Sequence, residues 1–208
     1  MQTEGLPSFV RRAFLFVVRP FFTYGNYYIY EKDLSRYEEV IKFKPKVPNC
    51  IIKVVCTLGD LDKLAAEGYD LKVMDFRPKL EKDALAFCLF VGRKLAHITW
   101  VAPNQGAKRE IDYLPYKINF EAGEVCSGAS FTDPAYRRRG FLSHTYSYIF
   151  AYLVKKGVVK DRFTIEVNNV ASQKAHAKFT PTIIGIGRYL KILRWQSWKE
   201  KPMEETKQ

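Results

Sequence analysis

The sequence predicts an α/β domain of the mixed α+β kind, with a partly antiparallel sheet flanked by helices. Three observations carry that class. The stretch "ALAFCLFVGRKLAHITWVAP" forms an apolar strand, a Gly92-Arg93 turn and a second strand, which is a hairpin. Strands alternate with helices only in the second half of the chain, so some strand pairs must be antiparallel. Between the halves, "SFTDPAYRRRGFLSHTY" passes from a strand through a glycine-marked turn into a helix.

The elements follow in order. "LPSFVRRAFLFVVRPFF" puts Arg11, Arg12 and Arg19 on one sector of a helix and apolar residues elsewhere, and Pro20 ends it. We assign residues 1–25 to an amphipathic basic extension. Two readings stay open for it: a helix docked on the domain's own core through Phe14, Phe16 and Phe21, or a peripheral membrane contact. No small-residue cleavage site follows, which argues against a signal peptide. Residues 26–198 form the domain proper. "NYYIYEKDL" and "NCIIKVVCT" are aromatic and β-branched and predict strands. In "LGDLDKLAAEGYDL", Asp60 is the expected N-cap, Leu61, Leu64 and Ala65 recur at helical spacing, and Gly68 is the stop. After the hairpin, "YKINFEAGEVCSGASFTDP" supplies strand up to Asp133-Pro134. A helix from about Leu142 to Lys156 follows and ends at Gly157, with Lys155 and Lys156 suited to its C-terminal dipole. "DRFTIEVNN" predicts a strand, "VASQKAHAKF" a short helix, and the basic, aromatic "RYLKILRWQSWKEKP" the last strand region. Residues 199–208 are expected to be a flexible tail.

The bulk properties narrow the function classes. The chain has 208 residues, of which 47% are hydrophobic and 15% aromatic, enough for a real core. Cys50, Cys56, Cys88 and Cys126 form no C-x-x-C pair and sit mostly among apolar neighbours. They are expected to be free thiols in a reducing, cytoplasmic setting, and no metal site is expected. No stretch reaches the roughly 20 apolar residues of a membrane span, so any membrane association would be peripheral. The net charge of +12 attracts nucleic acid, anionic lipid or a polyanionic ligand without choosing among them. Aromatics are not interleaved with Lys and Arg as in RNA-binding sheets, so nucleic acid is not the expected partner. An oligomer is left open.

The arginine-rich turn carries the chemistry. A strand that stops at a tight turn and feeds a helix gathers unpaired backbone N–H groups, and the helix dipole adds to them. Such a place binds phosphate or pyrophosphate. Gly140 permits close backbone approach, and Arg137, Arg138 and Arg139 add bidentate contacts or raise the local potential. The bland alternative is a solvated basic loop.

Two segments together resemble the GNAT superfamily of acyl-CoA-dependent N-acyltransferases. "DPAYRRRGF" is similar to its coenzyme-A-binding turn, Arg/Gln-x-x-Gly-x-Gly/Ala after a strand, with Arg137 and Gly140 in place. "VNNVASQKAHAKF" is similar to its later segment, with Asn169 and Ser172 fitting and Lys178 where a Lys often stands. The resemblance covers residues from about 85 to 190. Leu142 departs from the usual Gly or Ala, His176 stands where a Tyr often serves as general acid, and Thr180-Pro181 replaces Gly-Phe.

The resemblance implies two central parallel strands that splay apart with pantetheine between them, and direct acyl transfer without metal. It implies acetyl-CoA, or another acyl-CoA, as cosubstrate, held by Phe131, Thr132, Arg137, Arg138, Arg139, Gly140, Phe141, Leu142, Ser143, Asn169 and Ser172. Backbone N–H groups near Phe131 and Thr132 would polarise the thioester carbonyl. His176 would protonate the leaving thiolate and Glu166 would act as general base, with Glu124 a weaker candidate. His176 and Glu166 each have a bland alternative: a surface or packing His on a short helix, and a strand carboxylate that merely faces solvent. His97 is expected to be a satisfied sheet residue, and His144 a cap or a ligand contact. The expected acceptor is a small-molecule amine or a peptide. Transfer to a hydroxyl, a non-catalytic CoA- or lipid-binding module at the membrane face, and nucleic-acid binding by charge alone are the alternatives.

Overall fold

The computed structural model describes residues 22–35, 37, 43–71 and 74–203. The helix expected before Pro20, with Phe14, Phe16 and Phe21, lies outside them. The strands are β1 (Phe22–Asp33), β2 (Cys50–Val55), β3 (Leu85–Val91), β4 (Lys94–Ala102), β5 (Glu124–Thr132), β6 (Lys160–Glu166), β7 (Thr182–Ile192) and β8 (Trp195–Pro202). The helices are α1 (Leu58–Ala66), α2 (Arg77–Leu80), α3 (Gln105–Ile111), α4 (Phe141–Lys155) and α5 (Val170–Ala177).

All eight strands join one sheet in the order β2-β3-β4-β5-β6-β1-β7-β8. Every pairing is antiparallel except β5 with β6, which is parallel. That pair is short: Glu124, Val125 and Cys126 face Lys160, Asp161 and Arg162, and pairing stops there. Beyond Cys126 the two strands separate, which is the splay the resemblance implied. β6 stays extended past the split because β1 pairs along its whole length, from Asp33↔Lys160 to Tyr27↔Glu166.

The two faces of the sheet bury different cores. On one, Tyr146, Ile149, Phe150 and Leu153 of α4 pack on Phe87, Val101 and Val125. On the other, α1, α2 and α3 cover a cluster that includes Val55, Ala86, Cys88, Ile98, Trp100 and Cys126. At the base of the split, Arg162 of β6 pairs with Glu31 of β1 at 2.8 Å and Glu124 of β5 at 3.2 Å, and Lys160 pairs with Glu31 at 2.9 Å. This charge cluster ties three strands together just below the point where two of them part. Among the described residues no helix is long and apolar enough to cross a membrane.

Several sequence expectations shift. β1 begins at Phe22, inside the stretch assigned to the extension, and lies deep within the sheet order rather than at an edge. Thr57, not Asp60, is the N-cap of α1. Asp60 is its reciprocal partner three residues on, a capping box that satisfies donors at both positions. α3 was not foreseen; Asn104 caps it by accepting from the Ala107 N–H at 2.8 Å. "YKINF" is not strand, and β5 starts at Glu124. Residues 199–202, expected in a loose tail, pair in register with Gly185–Arg188.

Candidate active site

The site grows out of the end of β5. Opposite the β4 segment Ile98–Trp100, the register of β5 slips, and Ala129 takes a φ of +46°. A bulge of this kind bends the strand and re-aims the residues after it. Behind the bulge runs a chain of side chains. His97 Nδ1 meets Thr132 Oγ1 at 2.7 Å, its Nε2 meets Thr99 Oγ1 at 3.0 Å, and Thr99 Oγ1 meets Ser130 Oγ at 2.8 Å. Burial pulls the His97 imidazole down to about 3, so it is a neutral strut that fixes the β5 edge.

Asp133 turns the chain. Its carboxylate accepts from the Ala135 N–H at 2.8 Å and pairs with Lys94 at 3.0 Å, and these two partners hold its pKa below the usual carboxylate value. Arg138 and Gly140 then adopt left-handed backbone, φ +62° and +82°, and Gly140 is the N-cap of α4. Among the described residues no side chain caps this 15-residue helix, which leaves its first N–H groups available. Phe141 is buried against Leu89 and Ala96 and anchors the helix start. The loop before β2 closes the turn from outside: Lys46 N–H donates to Arg139 O at 2.9 Å, and His144 Nδ1 donates to Phe43 O at 2.6 Å. His144 therefore ties that loop to α4.

A cleft of about 860 Å³ opens where β5 and β6 part. Its lining includes Phe131, Thr132, Arg137, Arg138, Arg139, Gly140, Phe141, Leu142, Ser143, Asn169 and Ser172. All the residues expected from the sequence to hold a cosubstrate thus border one cavity. Asn169 also caps α5, accepting from the Ser172 N–H at 3.1 Å. Sequence reasoning missed Lys46, Ser130, Tyr136 and Ala175, which border the same cleft. Lys46 comes from a loop more than ninety residues upstream, and nothing local marks it.

The expected catalytic residues are not brought together. His176 is not part of the cleft lining; it is buried between the rings of Tyr146 and Phe163, with centroids 4.5 and 4.7 Å away. Its Nδ1 donates to Ser172 O at 2.9 Å, and its Nε2 has no partner among the described residues. Burial pulls the imidazole down to about 4, so at neutral pH it has no proton to spare. The general-acid expectation for His176 gives way to a packing role. Glu124 is likewise engaged, by Arg162 and by the Asn119 N–H at 2.7 Å, and is not a free base. Glu166 is exposed at the end of β6, on the opposite sheet face from His176, directly across from Tyr27. Tyr27 OH lies 3.3 Å from Tyr113 OH. Burial, then Tyr113, Glu166 and Asp112, push the Tyr27 phenol well above its ordinary value, so it keeps its proton.

No protein-family model and no curated protein sequence matches the chain. Solved structures do. A tandem GNAT protein from the clavulanic acid biosynthesis pathway superposes with a TM-score of 0.51 at 13% identity, covering 97% of this chain and 61% of that one. A GNAT-family acetyltransferase from Colwellia psychrerythraea gives 0.50 at 12%, covering 83% and 57%. The GCN5-related glucosamine N-acetyltransferase region of a fungal multi-domain β-N-acetylglucosaminidase gives 0.51 at 11%, covering 90% and 23%. The chain thus spans less than two thirds of the length of each of these proteins. Identities this low establish architecture, and the architecture is plain: the chain adopts the GNAT fold, with its parted parallel strands at the centre.

Proposed function

We propose that the protein transfers an acyl group, by default acetyl, from acyl-CoA to the amine of a small molecule or peptide. The observation that carries this is the coincidence of the strand split with the arginine turn: one cleft borders both the freed edge of β5 and the uncapped start of α4. The residues present fit such a cosubstrate. Three arginines and free helix N–H groups suit pyrophosphate, Gly140 presents no side chain to it, and the gap between the strands suits a narrow chain. When bound, acyl-CoA would supply an activated thioester carbonyl.

The remaining work falls to the protein. The β5 segment Ser130–Thr132, held by the His97–Thr99 strut, fixes backbone donors for that carbonyl. Glu166 is the carboxylate we assign to accept the amine proton. We assign Tyr27, across the strand pair from Glu166, as the proton donor in place of His176 on its register position alone.

Calorimetric titration with acetyl-CoA, CoA and pyrophosphate tests the reading. A GNAT-like cleft binds CoA far more tightly than pyrophosphate. Gly140→Asp should abolish CoA binding while the protein stays folded, because a carboxylate would sit against the phosphates. Equal affinity for CoA and pyrophosphate, or unchanged CoA affinity in the folded variant, would overturn the proposal.

A further inference from the structure

The far end of the β1-β7-β8 ribbon carries a surface that the catalytic reading does not use. Strand register places Phe22 beside Ile192 and Ile192 beside Trp195, one apolar row across three strands. These side chains are 46%, 43% and 57% exposed, and Leu193, at the hairpin tip, is 61% exposed. The next row on the same face is Tyr24, Leu190 and Ser197; the one after is Asn26, Arg188 and Lys199. Tyr24, Arg188 and Lys199 are all exposed. The face therefore reads apolar at its tip and basic about 13 Å further in, at about 3.3 Å per residue. Arg194 stands at the tip itself.

We propose that this ribbon tip is a docking site for an anionic phospholipid surface. Apolar side chains at a tip with cations set back from it match the depth profile of a bilayer interface, where hydrocarbon lies inside and acidic headgroups outside. Lysines on an edge strand also discourage strand addition, but that does not account for the exposed apolar row. Charge decides among occupants. A second copy docked face to face would set Arg188 and Lys199 against their own kind. The chain's first 21 residues hold three arginines and one glutamate, so they repel the basic row rather than neutralise it. They join the described chain at Phe22, within the apolar row.

The full chain should float with vesicles containing about 30% phosphatidylserine and not with neutral phosphatidylcholine, with binding weakened at high salt. Lipids brominated on their acyl chains should quench Trp195, since Trp100 is fully buried and Trp198 packs against the core on the other face of β8, and Trp195→Phe should remove the quenching. The double substitution Leu193→Glu and Trp195→Glu lies on exposed positions. It should lower partitioning at least tenfold with an unchanged circular dichroism spectrum and unchanged CoA titration. Absence of flotation overturns the proposal. So does flotation that survives the double substitution, which would place binding in residues 1–21. A concentration-dependent dimer abolished by the same substitutions would also overturn it, in favour of a second copy.

Discussion

Asp161 stands at the start of the strand split and is fully buried. Its Oδ2 accepts from Ser127 Oγ at 2.6 Å, while Oδ1 has no partner among the described residues. Burial pushes the carboxyl up to about 7 from an ordinary value near 3.8. The sign follows from proton counting. Between about pH 4 and pH 7 the folded protein holds a proton that the unfolded chain has released, so this group's contribution to stability falls as pH rises through that window. A shift of this size corresponds to roughly 4 kcal/mol at alkaline pH. His176 and His97 act in the opposite sense. Their folded values are depressed to about 4 and about 3, so each lowers stability as pH drops below about 6.5. Asp161→Asn isolates the carboxyl. Urea unfolding from pH 5 to pH 8 should show the wild type losing stability relative to the variant as pH rises. Parallel curves would mean that Asp161 is already charged at pH 5.

At the scale of elements, the turn from β5 into α4 stores strain where the ligand is proposed to bind. Arg138 holds a left-handed φ of +62° with a full side chain, a conformation that costs about 1–2 kcal/mol for an ordinary residue. Arg138→Gly should therefore hold or raise the melting temperature while weakening CoA binding, two effects of opposite sign in one variant. A variant that loses both stability and affinity would show that the arginine side chain supports the fold. This turn was legible in the sequence because its parts are contiguous: Gly140, the arginines and the apolar run of α4 all fall within a dozen residues. Asn169 and Ser172 were legible for the same reason, as one short segment. What was not legible depends on distant chain. His176 has the spacing of a general acid, but its surroundings come from Tyr146 of α4 and Phe163 of β6, and only the folded packing reveals an apolar cage. α3 escaped notice because Gly106 weakens its helical signal and a single asparagine caps it. The last strand region was expected, but not its division into β7 and β8: the two tryptophans of β8 point to opposite faces and its lysines sit on an open edge, leaving no clean alternation to mark a second strand.

The whole molecule is organised around the insertion of β1. A strand from residues 22–33 pairs with residues 160–166 on one side and 182–192 on the other, so an early segment joins two late ones in the sheet. Its functional consequence is local. Past Cys126, β6 has lost β5, and Tyr27, Tyr28 and Ile29 hold its free half at Glu166, Ile165 and Thr164. The wall of the cleft is thus only as firm as the grip of β1. Ile29 anchors that grip, being 1% exposed within the core that includes Val55, Ile98 and Trp100. Ile29→Ala removes buried methyl groups there and should cost about 2–4 kcal/mol in urea unfolding. The loss should not be uniform. Amide exchange should speed up most at Thr164, Ile165 and Glu166, which have β1 but no β5 beside them. It should change less at Lys160–Arg162, where β5 and the Arg162–Glu31–Glu124 cluster still clamp the strand. CoA affinity should fall with the exchange protection of that free half. If exchange instead rises equally along β6, the lower half draws its order from β1 as much as the upper half does, and the split strand has no independent clamp at its base.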